Sequence, residues 1–370
     1  MAVSKGKVLV GLSGGVDSSV AALLLKEEGY RVDALFMRNW EEDDGSPYCS
    51  VKEDFLDAVF IADQLNINLT EYNFSKEYKD KVFCYFLNQL EQGNTPNPDI
   101  LCNREIKFNV FYRYAVELGY DFIATGHYVR TRENKYGIEL LKGVDKTKDQ
   151  SYFLHSVKKE ALKKSLFPLG NLLKTKVRKI AQNHNFVTSK KKDSTGICFI
   201  GERPFPEFLK NYIPENPGPI FNKKGKKIGN HRGLPFYTLG QRQGLGIGGI
   251  KEANNRPWYV AQKNIKNNSI TAVQGNDHPS LYSSSLGLSR SLNKTREASK
   301  KGRQADHQNI CLKQCSIPIQ SATQSKSASH LISSSFSIYP PLCRKLLSPK
   351  HSDLPALCRH EPTPNQRPKE

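Results

Sequence analysis

The chain has 370 residues, which exceeds the roughly 250–300 residues at which a single hydrophobic core stops growing. We therefore expect two or three domains. With 55 Lys and Arg against 36 Asp and Glu, the formal net charge is +19. This excess favours a polyanionic partner, with nucleic acid ahead of an anionic membrane surface, while a basic protein without such a partner stays an alternative.

The sequence contains no run of about 18 consecutive apolar residues, the length that a membrane-spanning helix needs. Its first six residues lead directly into a strand-like stretch, without an apolar signal region or a cleavage site. Eight Cys in a chain of this size, without a secretion signal, argue against a disulfide-stabilised extracellular scaffold. We therefore expect a cytoplasmic protein.

Strands and helices alternate along the first third of the chain. Apolar runs predict strands at residues 7–12, 31–37, 68–74 and 121–125. Helices are predicted at residues 19–28, 50–65, 76–92 and 103–118. This alternation is typical of βαβ units, so we predict an α/β fold with a doubly wound parallel sheet.

The pattern changes near residue 165. Short helices are predicted at residues 175–185 and 206–212, and the chain becomes Gly-rich and strand-like from residue 218. Strands at residues 256–262 and 269–273 flank Asn267-Asn268, which predicts a hairpin. We therefore divide the chain into an α/β domain (1–165), a small central domain (166–215), a β-domain (216–282) and a divergent tail (283–370).

A Gly-rich loop joins the first predicted strand to the first helix. Residues 11–19 read Gly-Leu-Ser-Gly-Gly-Val-Asp-Ser-Ser. Glycines let the backbone approach a ligand, hydroxyls add donors, and a helix N-terminus presents the positive end of its dipole. The loop is therefore a candidate phosphate site, although an isolated Gly-rich turn can be purely structural. It is not a Walker A loop, because no Gly-Lys-Ser/Thr follows.

The string Ser-Gly-Gly-Val-Asp-Ser-Ser resembles the loop of the N-type ATP pyrophosphatases, which cleave ATP between the α and β phosphates. The resemblance implies that Asp17 helps to position Mg²⁺ and pyrophosphate. Met37 and Gly126 follow the second and fourth strands, at the sheet edge where ligands of open α/β sheets bind. We expect the Met37 backbone to contact adenine and Gly126 to allow a close approach to ATP. The predicted ATP-binding residues are Gly11, Leu12, Ser13, Gly14, Gly15, Val16, Asp17, Ser18, Met37 and Gly126.

Two cysteines lie in unusual segments. Cys102 follows Asn-Pro-Asp close to the predicted helix start at residue 103, where the helix dipole lowers a thiol pKa from its reference of about 8.5. Cys198 lies in residues 193–202, a short stretch dense in Gly and polar residues. For each of them, a packed and unreactive cysteine is the alternative.

Five ordered strings resemble the bacterial tRNA 2-thiouridylases: residues 97–103, 126–128, 148–154, 195–203 and 238–246. The match runs from about residue 7 to about residue 282. It implies that ATP adenylates the C2 carbonyl oxygen of the wobble uridine of tRNA. It further implies that Cys198 carries the sulfur as a persulfide, and that Cys102 acts as the nucleophile that releases the sulfur and forms a disulfide with Cys198.

The same resemblance implies substrate contacts and partners. The central domain would bind tRNA, the β-domain would be a partial β-barrel, and a sulfur-relay protein would donate the persulfide. A packed histidine is the alternative for His127. The predicted substrate-binding residues are Asn97, Pro98, Asp99 and His127 at the target base, and Lys148, Asp149 and Gln150 on the tRNA.

Two other functions stay open. One is an adenylating pyrophosphatase that acts on a small molecule, against which the paired cysteines and Asn-Pro-Asp argue. The other is a catalytically impaired RNA-binding protein whose C-terminal barrel is disrupted. Residues 283–337 are rich in Ser, Gln and Lys without sustained alternation, and prolines interrupt the remainder. Our hypothesis for this break is a reading-frame change near Ser284.

We predict that limited proteolysis removes this tail quickly and leaves a stable core that ends at about residue 280. Such a stretch buries too little apolar surface to offset a backbone ordering cost of about 1–2 kcal/mol per residue. Mass analysis of the fragments gives the end of the core. A protease-resistant tail with slow amide exchange would contradict the prediction.

Overall fold

The computed structural model describes residues 5–40, 51–193, 205–248 and 256–283. Their strands are β1 (Lys7–Gly11), β2 (Arg31–Arg38), β3 (Leu69–Asn73), β4 (Phe122–Ala124), β5 (Val129–Asn134), β6 (Gly137–Lys142), β7 (Ser165–Leu166), β8 (Gly218–Phe221), β9 (Lys227–His231), β10 (Trp258–Asn264) and β11 (Ser269–Gln274). The predicted tail from residue 284 onward lies outside the described residues.

The strands are accompanied by helices, of which α3 and α4 are each a continuous run of three segments. They are α1 (Val16–Glu27), α2 (Val51–Leu65), α3 (Ser75–Tyr78, Lys79–Phe83 and Cys84–Glu91), α4 (Pro98–Cys102, Asn103–Val110 and Phe111–Glu117), α5 (Ser151–Leu154), α6 (Lys159–Lys163), α7 (Lys174–Asn183) and α8 (Phe205–Lys210). The middle segments of α3 and α4 are π-helical. No helix of the described residues is long and apolar enough to span a membrane.

The five-stranded sheet of the N-terminal part is wholly parallel and has the strand order β3-β2-β1-β4-β7. Successive residues of β1 point to opposite faces. Leu9 enters one core cluster, whereas Val8 and Val10 enter the other. Helices α1, α2 and α7 pack on the Val8 side, and α3 to α6 pack on the Leu9 side. The predicted doubly wound α/β sheet is confirmed.

Helix α4 begins at Pro98, so the predicted start at residue 103 is wrong. The Asn97 side-chain oxygen accepts hydrogen bonds from the backbone N–H groups of Asp99 (3.0 Å) and Ile100 (3.3 Å) and caps the helix. Proline is well tolerated at the first helical position, because its missing N–H would have no partner there. Cys102 is therefore the fifth residue of the helix rather than the residue before it.

The β5–β6 hairpin is absent from the sequence prediction. Its residues pair in antiparallel register from Val129 opposite Lys142 to Asn134 opposite Gly137. Most of its side chains are half-buried or exposed, and β5 carries Arg130, Arg132 and Glu133. A hairpin with so little buried surface lacks the apolar alternation on which strand prediction depends.

The C-terminal part contains a mixed four-stranded sheet of order β10-β11-β8-β9, in which β8 and β11 are parallel. The predicted hairpin is confirmed, since β10 pairs antiparallel with β11 and Asn268 has a positive φ of 44° in the turn. Val260, Ile270 and Ala272 belong to the core cluster that includes Leu9 of β1. The two sheets therefore share one continuous apolar core.

Candidate active site

The Gly-rich loop lies where the strand order of the parallel sheet reverses. β1 ends at Gly11, next to β4, and β4 is followed by Thr125 and Gly126. In open α/β sheets this reversal leaves a crevice beyond the carboxyl ends of the strands, and ligands bind there. The predicted ATP loop therefore occupies the expected position for a nucleotide site.

The loop is held by its own hydroxyl groups. Ser13 N donates to the Ser18 hydroxyl oxygen (3.1 Å), and the hydroxyls of Ser18 and Ser19 donate to the Gly15 carbonyl (3.1 and 2.9 Å). Gly15 is the N-cap of α1, which has no side-chain cap. The first N–H groups of a helix have no intrahelical acceptor, so this end of α1 can bind an anion.

Two glycines allow close backbone contacts around the loop. Gly14 has a φ of +69°, and a Cβ atom there would overlap the backbone of Asp54 at the start of α2. A Cβ at Gly126 would lie 2.8 Å from both Asp17 C and Ser18 N. In this structure Gly126 therefore makes room for the first turn of α1; its predicted contact with ATP stays a prediction.

Asp17 is engaged by two side chains from other elements. The Lys174 ammonium donates to both carboxylate oxygens (2.7 and 2.8 Å), and the Tyr128 hydroxyl donates to one of them (2.7 Å). Burial, followed by the charge of Asp17, raises the pKa of Tyr128, so the phenol stays protonated and donates. Lys174 is the first residue of α7, and its side chain is only 9% exposed.

Lys174 also contacts Asp193 (2.8 Å), which in turn pairs with Lys148 (2.8 Å) and Arg178 (2.7 Å). Partial burial favours the neutral acid and on its own would raise the pKa of Asp193. Hydrogen bonds from Lys148 and Lys174 outweigh that effect and lower this pKa to about 2. The resulting ion-pair cluster joins the loop to the stretch of chain that precedes Cys198.

Lys191 makes a second link from the same stretch to the loop. Its ammonium donates to the Gly14 carbonyl (3.0 Å), to Asp54 (2.7 Å) and to Asp57. Burial alone would lower the pKa of Lys191, but the two carboxylates raise it above its usual value. Lys191 lies in a run of three lysines, residues 190–192, and is half-buried and paired.

Cys102 is a fully buried thiol with 0% exposure. It belongs to the core cluster that also contains Met37, near the end of β2, and Trp40, two residues after it. Met37 is buried, and its backbone lies at the sheet edge predicted for adenine; the contact with adenine stays a prediction. Cys198, the predicted persulfide carrier, lies outside the described residues.

His127 is buried and packed between aromatic rings. Its centroid lies 5.8 Å from that of Phe108 and 6.5 Å from that of Phe167, and its Nδ1 is 2.7 Å from the Thr125 hydroxyl. Burial, followed by the charge of Lys107, lowers the pKa of His127 well below its usual value, so the ring is neutral. The packed histidine that sequence reasoning kept as an alternative is what the structure shows; a contact with the target base stays a prediction.

The side chains of the three predicted tRNA-binding residues, 148–150, each form an ion pair or hydrogen bonds with other residues of the chain. Lys148 pairs with Asp193, as described above. Asp149 accepts from Gly143 N (2.9 Å) and from the Ser151 hydroxyl (2.8 Å). Gln150 accepts from Tyr128 N (3.0 Å). These bonds fix the turn that positions Tyr128, and a contact with tRNA stays a prediction.

Sequence reasoning missed Lys174 as a site residue. A lysine in the first turn of a helix opposes the helix dipole and is locally unfavourable. Lys174 stands at that position without a compensating acidic residue in the first turn of α7. Lys176 lies in the same turn and is exposed, so this signal alone does not distinguish Lys174 from a solvated lysine.

We predict that Lys174→Met destabilises the protein by about 2 kcal/mol at pH 6, because Asp17 and Asp193 lose the cation that bridges them. The pKa of Asp193 is lowered on folding, so its contribution is present above the unfolded pKa and is lost as pH falls from about 4 to about 2. The difference between variant and wild type should therefore shrink over that range. Urea unfolding at several pH values measures it.

The matched control is Lys176→Met, on an exposed position of the same helix. It should change stability by less than about 0.5 kcal/mol. Equal effects of the two substitutions would contradict a bridging role for Lys174.

Comparisons with known proteins identify the family of the chain. Residues 6–202 match the tRNA methyl transferase HUP domain, and residues 206–274 match the tRNA methyl transferase PRC-barrel domain. The chain is 59% identical over 285 residues to the tRNA-specific 2-thiouridylase MnmA of Stutzerimonas stutzeri, covering 77% of this chain and 76% of that protein. It is 58% identical over 284 residues to the MnmA of Pseudomonas paraeruginosa, with the same coverage.

A solved 4-thiouridine synthetase–RNA complex with bound ATP is 21% identical, with a TM-score of 0.33, and covers 56% of this chain and 50% of that one. The family assignment rests on the sequence matches. From the identity and coverage of these relatives, the chain belongs to the family of tRNA-specific 2-thiouridylases.

Proposed function

We propose that this chain catalyses the ATP-dependent 2-thiolation of the wobble uridine of tRNA, as a tRNA sulfurtransferase. The observation that carries the proposal is the uncapped end of α1 beside Lys174, within a chain 59% identical to a tRNA-specific 2-thiouridylase. The relatives' names do not favour a small-molecule pyrophosphatase or an inactive RNA-binding protein.

The loop is suited to the phosphates of ATP. Backbone N–H groups at the start of α1 point out of the helix, and the positive end of its dipole favours anionic groups. Lys174 lies beside them with Asp17 as its counter-ion. A phosphate that enters the loop would replace Asp17 as the partner of Lys174, which frees the carboxylate for another cation.

Mg²⁺ is part of the proposal. Within the described residues, no group of three or more His, Cys, Asp or Glu is arranged to hold a metal. Mg²⁺ commonly binds through one or two carboxylates together with substrate phosphates, so Asp17 would hold it jointly with ATP. When bound, the ion would neutralise charge that develops on the departing pyrophosphate.

Adenylation activates a poor electrophile. The uridine C2 oxygen attacks the α-phosphorus, an oxygen–phosphorus bond forms, and the bond to pyrophosphate breaks. The terminal sulfur of a Cys198 persulfide then adds to C2 and displaces AMP. The Cys102 thiolate attacks the inner sulfur of Cys198, which leaves the 2-thio group on the base and a disulfide between the two cysteines. A reductant must reopen this disulfide before the next cycle.

The substrate must present its base to this site. The wobble base has to leave the anticodon stack before its C2 carbonyl can be reached. Asn97, Asp99 and His127 would then hold the base beside Cys102, while residues 148–150 and the central domain would contact the tRNA. A persulfide-donating sulfur-relay protein would load Cys198.

We predict that ATP is converted to AMP and pyrophosphate, because the loop lacks the Lys of a P-loop that transfers the γ-phosphate. Asp17→Asn should lower AMP formation by at least about 100-fold, since it removes the negative charge proposed to position the metal and the phosphates. It should leave the fold intact, because Asn can still accept from Tyr128. Chromatographic separation of nucleotides after incubation with tRNA identifies the product and gives the rate of AMP formation.

Asp63→Asn, an exposed position of α2, is the control and should retain wild-type rates. ADP and phosphate as the products would overturn the assignment of the loop. A wild-type rate for Asp17→Asn would remove Asp17 from the proposed mechanism.

We predict that the two catalytic cysteines have separable roles. Cys198→Ser should prevent persulfide loading and leave adenylation possible, because only the sulfur carrier is lost. Cys102→Ser should permit loading and stop sulfur release. Mass analysis of the intact protein reports the persulfide, and nucleoside analysis of the tRNA reports the product.

Cys315→Ser in the predicted tail serves as the control and should behave as wild type. Near wild-type thiolation by either Cys102→Ser or Cys198→Ser would show that the two-cysteine mechanism is wrong.

A further inference from the structure

Asn103, directly after Cys102, has a buried carbonyl oxygen without a hydrogen-bond partner among the described residues. The residue is 3% exposed, and its Oδ1 accepts no bond. Polar neighbours on the same helix are paired: Arg104 with Glu105 at 2.6 Å, and Asn109 with Glu105 at 3.4 Å. A buried acceptor without a donor is costly, so its presence here calls for an explanation.

The orientation of this amide is fixed by chemistry. Asn103 Nδ2 donates to the Asp99 carbonyl at 2.9 Å. A backbone carbonyl can only accept, so the amide nitrogen must face it and the oxygen must face the other way. An unrestrained Asn can turn and offer either a donor or an acceptor. The Asn103 amide is therefore held with its oxygen, an acceptor, on the side away from Asp99.

The position of Asn103 on α4 relates it to the predicted base site. Asp99 and Lys107 lie four residues before and after Asn103, which is close to one turn in α-helical as well as in π-helical geometry, so the three lie near one face of α4. Lys107 is near enough to His127 for its charge to lower the pKa of that residue. The face therefore runs from Asp99 past Asn103 towards His127, with Cys102 adjacent.

We infer that Asn103 Oδ1 accepts the N3–H of the target uracil and so acts as a specificity-determining residue; this rests on the function proposed above. Enzymes that take a base out of the stack read it through hydrogen bonds to its Watson–Crick edge. Uracil presents an N–H at position 3. Cytosine presents a lone pair there, which would face the lone pairs of the fixed Asn103 oxygen.

The binding of uracil would also remove the cost of the unpaired oxygen. In the substrate complex the acceptor gains its donor, so part of the binding free energy depends on that one proton. A site built to hydrogen-bond a substrate N–H discriminates strongly against an analogue that lacks it, because its buried polar group is then left unpaired. Discrimination at position 3 of the base follows from the fixed amide.

The test compares wild-type protein and Asn103→Ala on two full-length tRNAs, one with uridine and one with 3-methyluridine at the wobble position. The methyl group removes the N3 proton, and alanine removes the acceptor and makes room for the methyl. In the absence of ATP, the wild type should bind the 3-methyluridine tRNA at least about 10-fold more weakly than the uridine tRNA. Binding is compared rather than turnover, because adenylation of uridine at O2 releases the N3 proton and a methyl group at N3 blocks that step whatever residue stands at position 103. Asn103→Ala should bind the uridine tRNA about 10-fold more weakly than the wild type does, and should bind the two tRNAs within about 5-fold of each other.

Asn109→Ala is the matched control on the same helix and should keep the wild-type preference for uridine. If Asn103 had only a structural role, Asn103→Ala would weaken the binding of both tRNAs equally and leave the ratio of their affinities as in the wild type. That result would overturn the inference. Asn103→Leu, which also removes the oxygen, provides the same comparison if the alanine variant fails to fold, as judged by circular dichroism. Absence of any 2-thiouridine from wild-type protein on the unmodified tRNA would overturn the proposed function, and the inference with it.

Discussion

The ion pairs of Lys174 tie together the parts of the site that come from distant stretches of sequence. One ammonium group contacts Asp17, in the first turn of α1, and Asp193, on the chain leading to Cys198. The pair is partly buried, so the attraction is screened less than that between exposed charges. Because Lys174 opens α7, the position of that helix against the sheet sets the geometry of the loop. The nucleotide loop is therefore organised by a residue more than 150 positions away in the chain.

The same cluster connects the loop proposed to bind ATP with the chain that leads to Cys198, the proposed persulfide carrier. Asp193 is held by Lys148, Lys174 and Arg178, and Lys191 is bonded to the carbonyl of Gly14 in the loop. An anion in the loop would compete with Asp17 and Asp193 for Lys174. In the proposed reaction adenylation precedes sulfur transfer. The ion-pair cluster lies between the loop proposed for the first step and the chain that leads to the cysteine proposed for the second.

Sequence reasoning succeeded where local patterns decide the structure and failed where distant contacts do. The parallel sheet follows from buried apolar runs and was predicted correctly. The position of the Gly-rich loop between β1 and α1 follows from a continuous string of residues, and its contact with ATP stays a prediction. The start of α4 was missed because a proline and an Asn cap precede the apolar residues. Lys174, Tyr128 and Asp193 were not identified, since only the folded chain brings them to Asp17.

Unpaired polar atoms show how the protein departs from a fold optimised for stability alone. The buried side-chain atoms without partners in the described residues are Asn39 Oδ1, Trp40 Nε1, Asn103 Oδ1, Ser156 Oγ and His231 Nδ1. Asn39 and Trp40 directly follow β2, at the sheet edge predicted for adenine, and Asn103 directly follows Cys102. Each such atom costs free energy in a ligand-free protein. A hydrophobic side chain at any of these three positions would avoid that cost. For Asn103, the hydrogen bond inferred above supplies the missing donor from the target base, so the cost is present in the free protein and removed in the proposed complex.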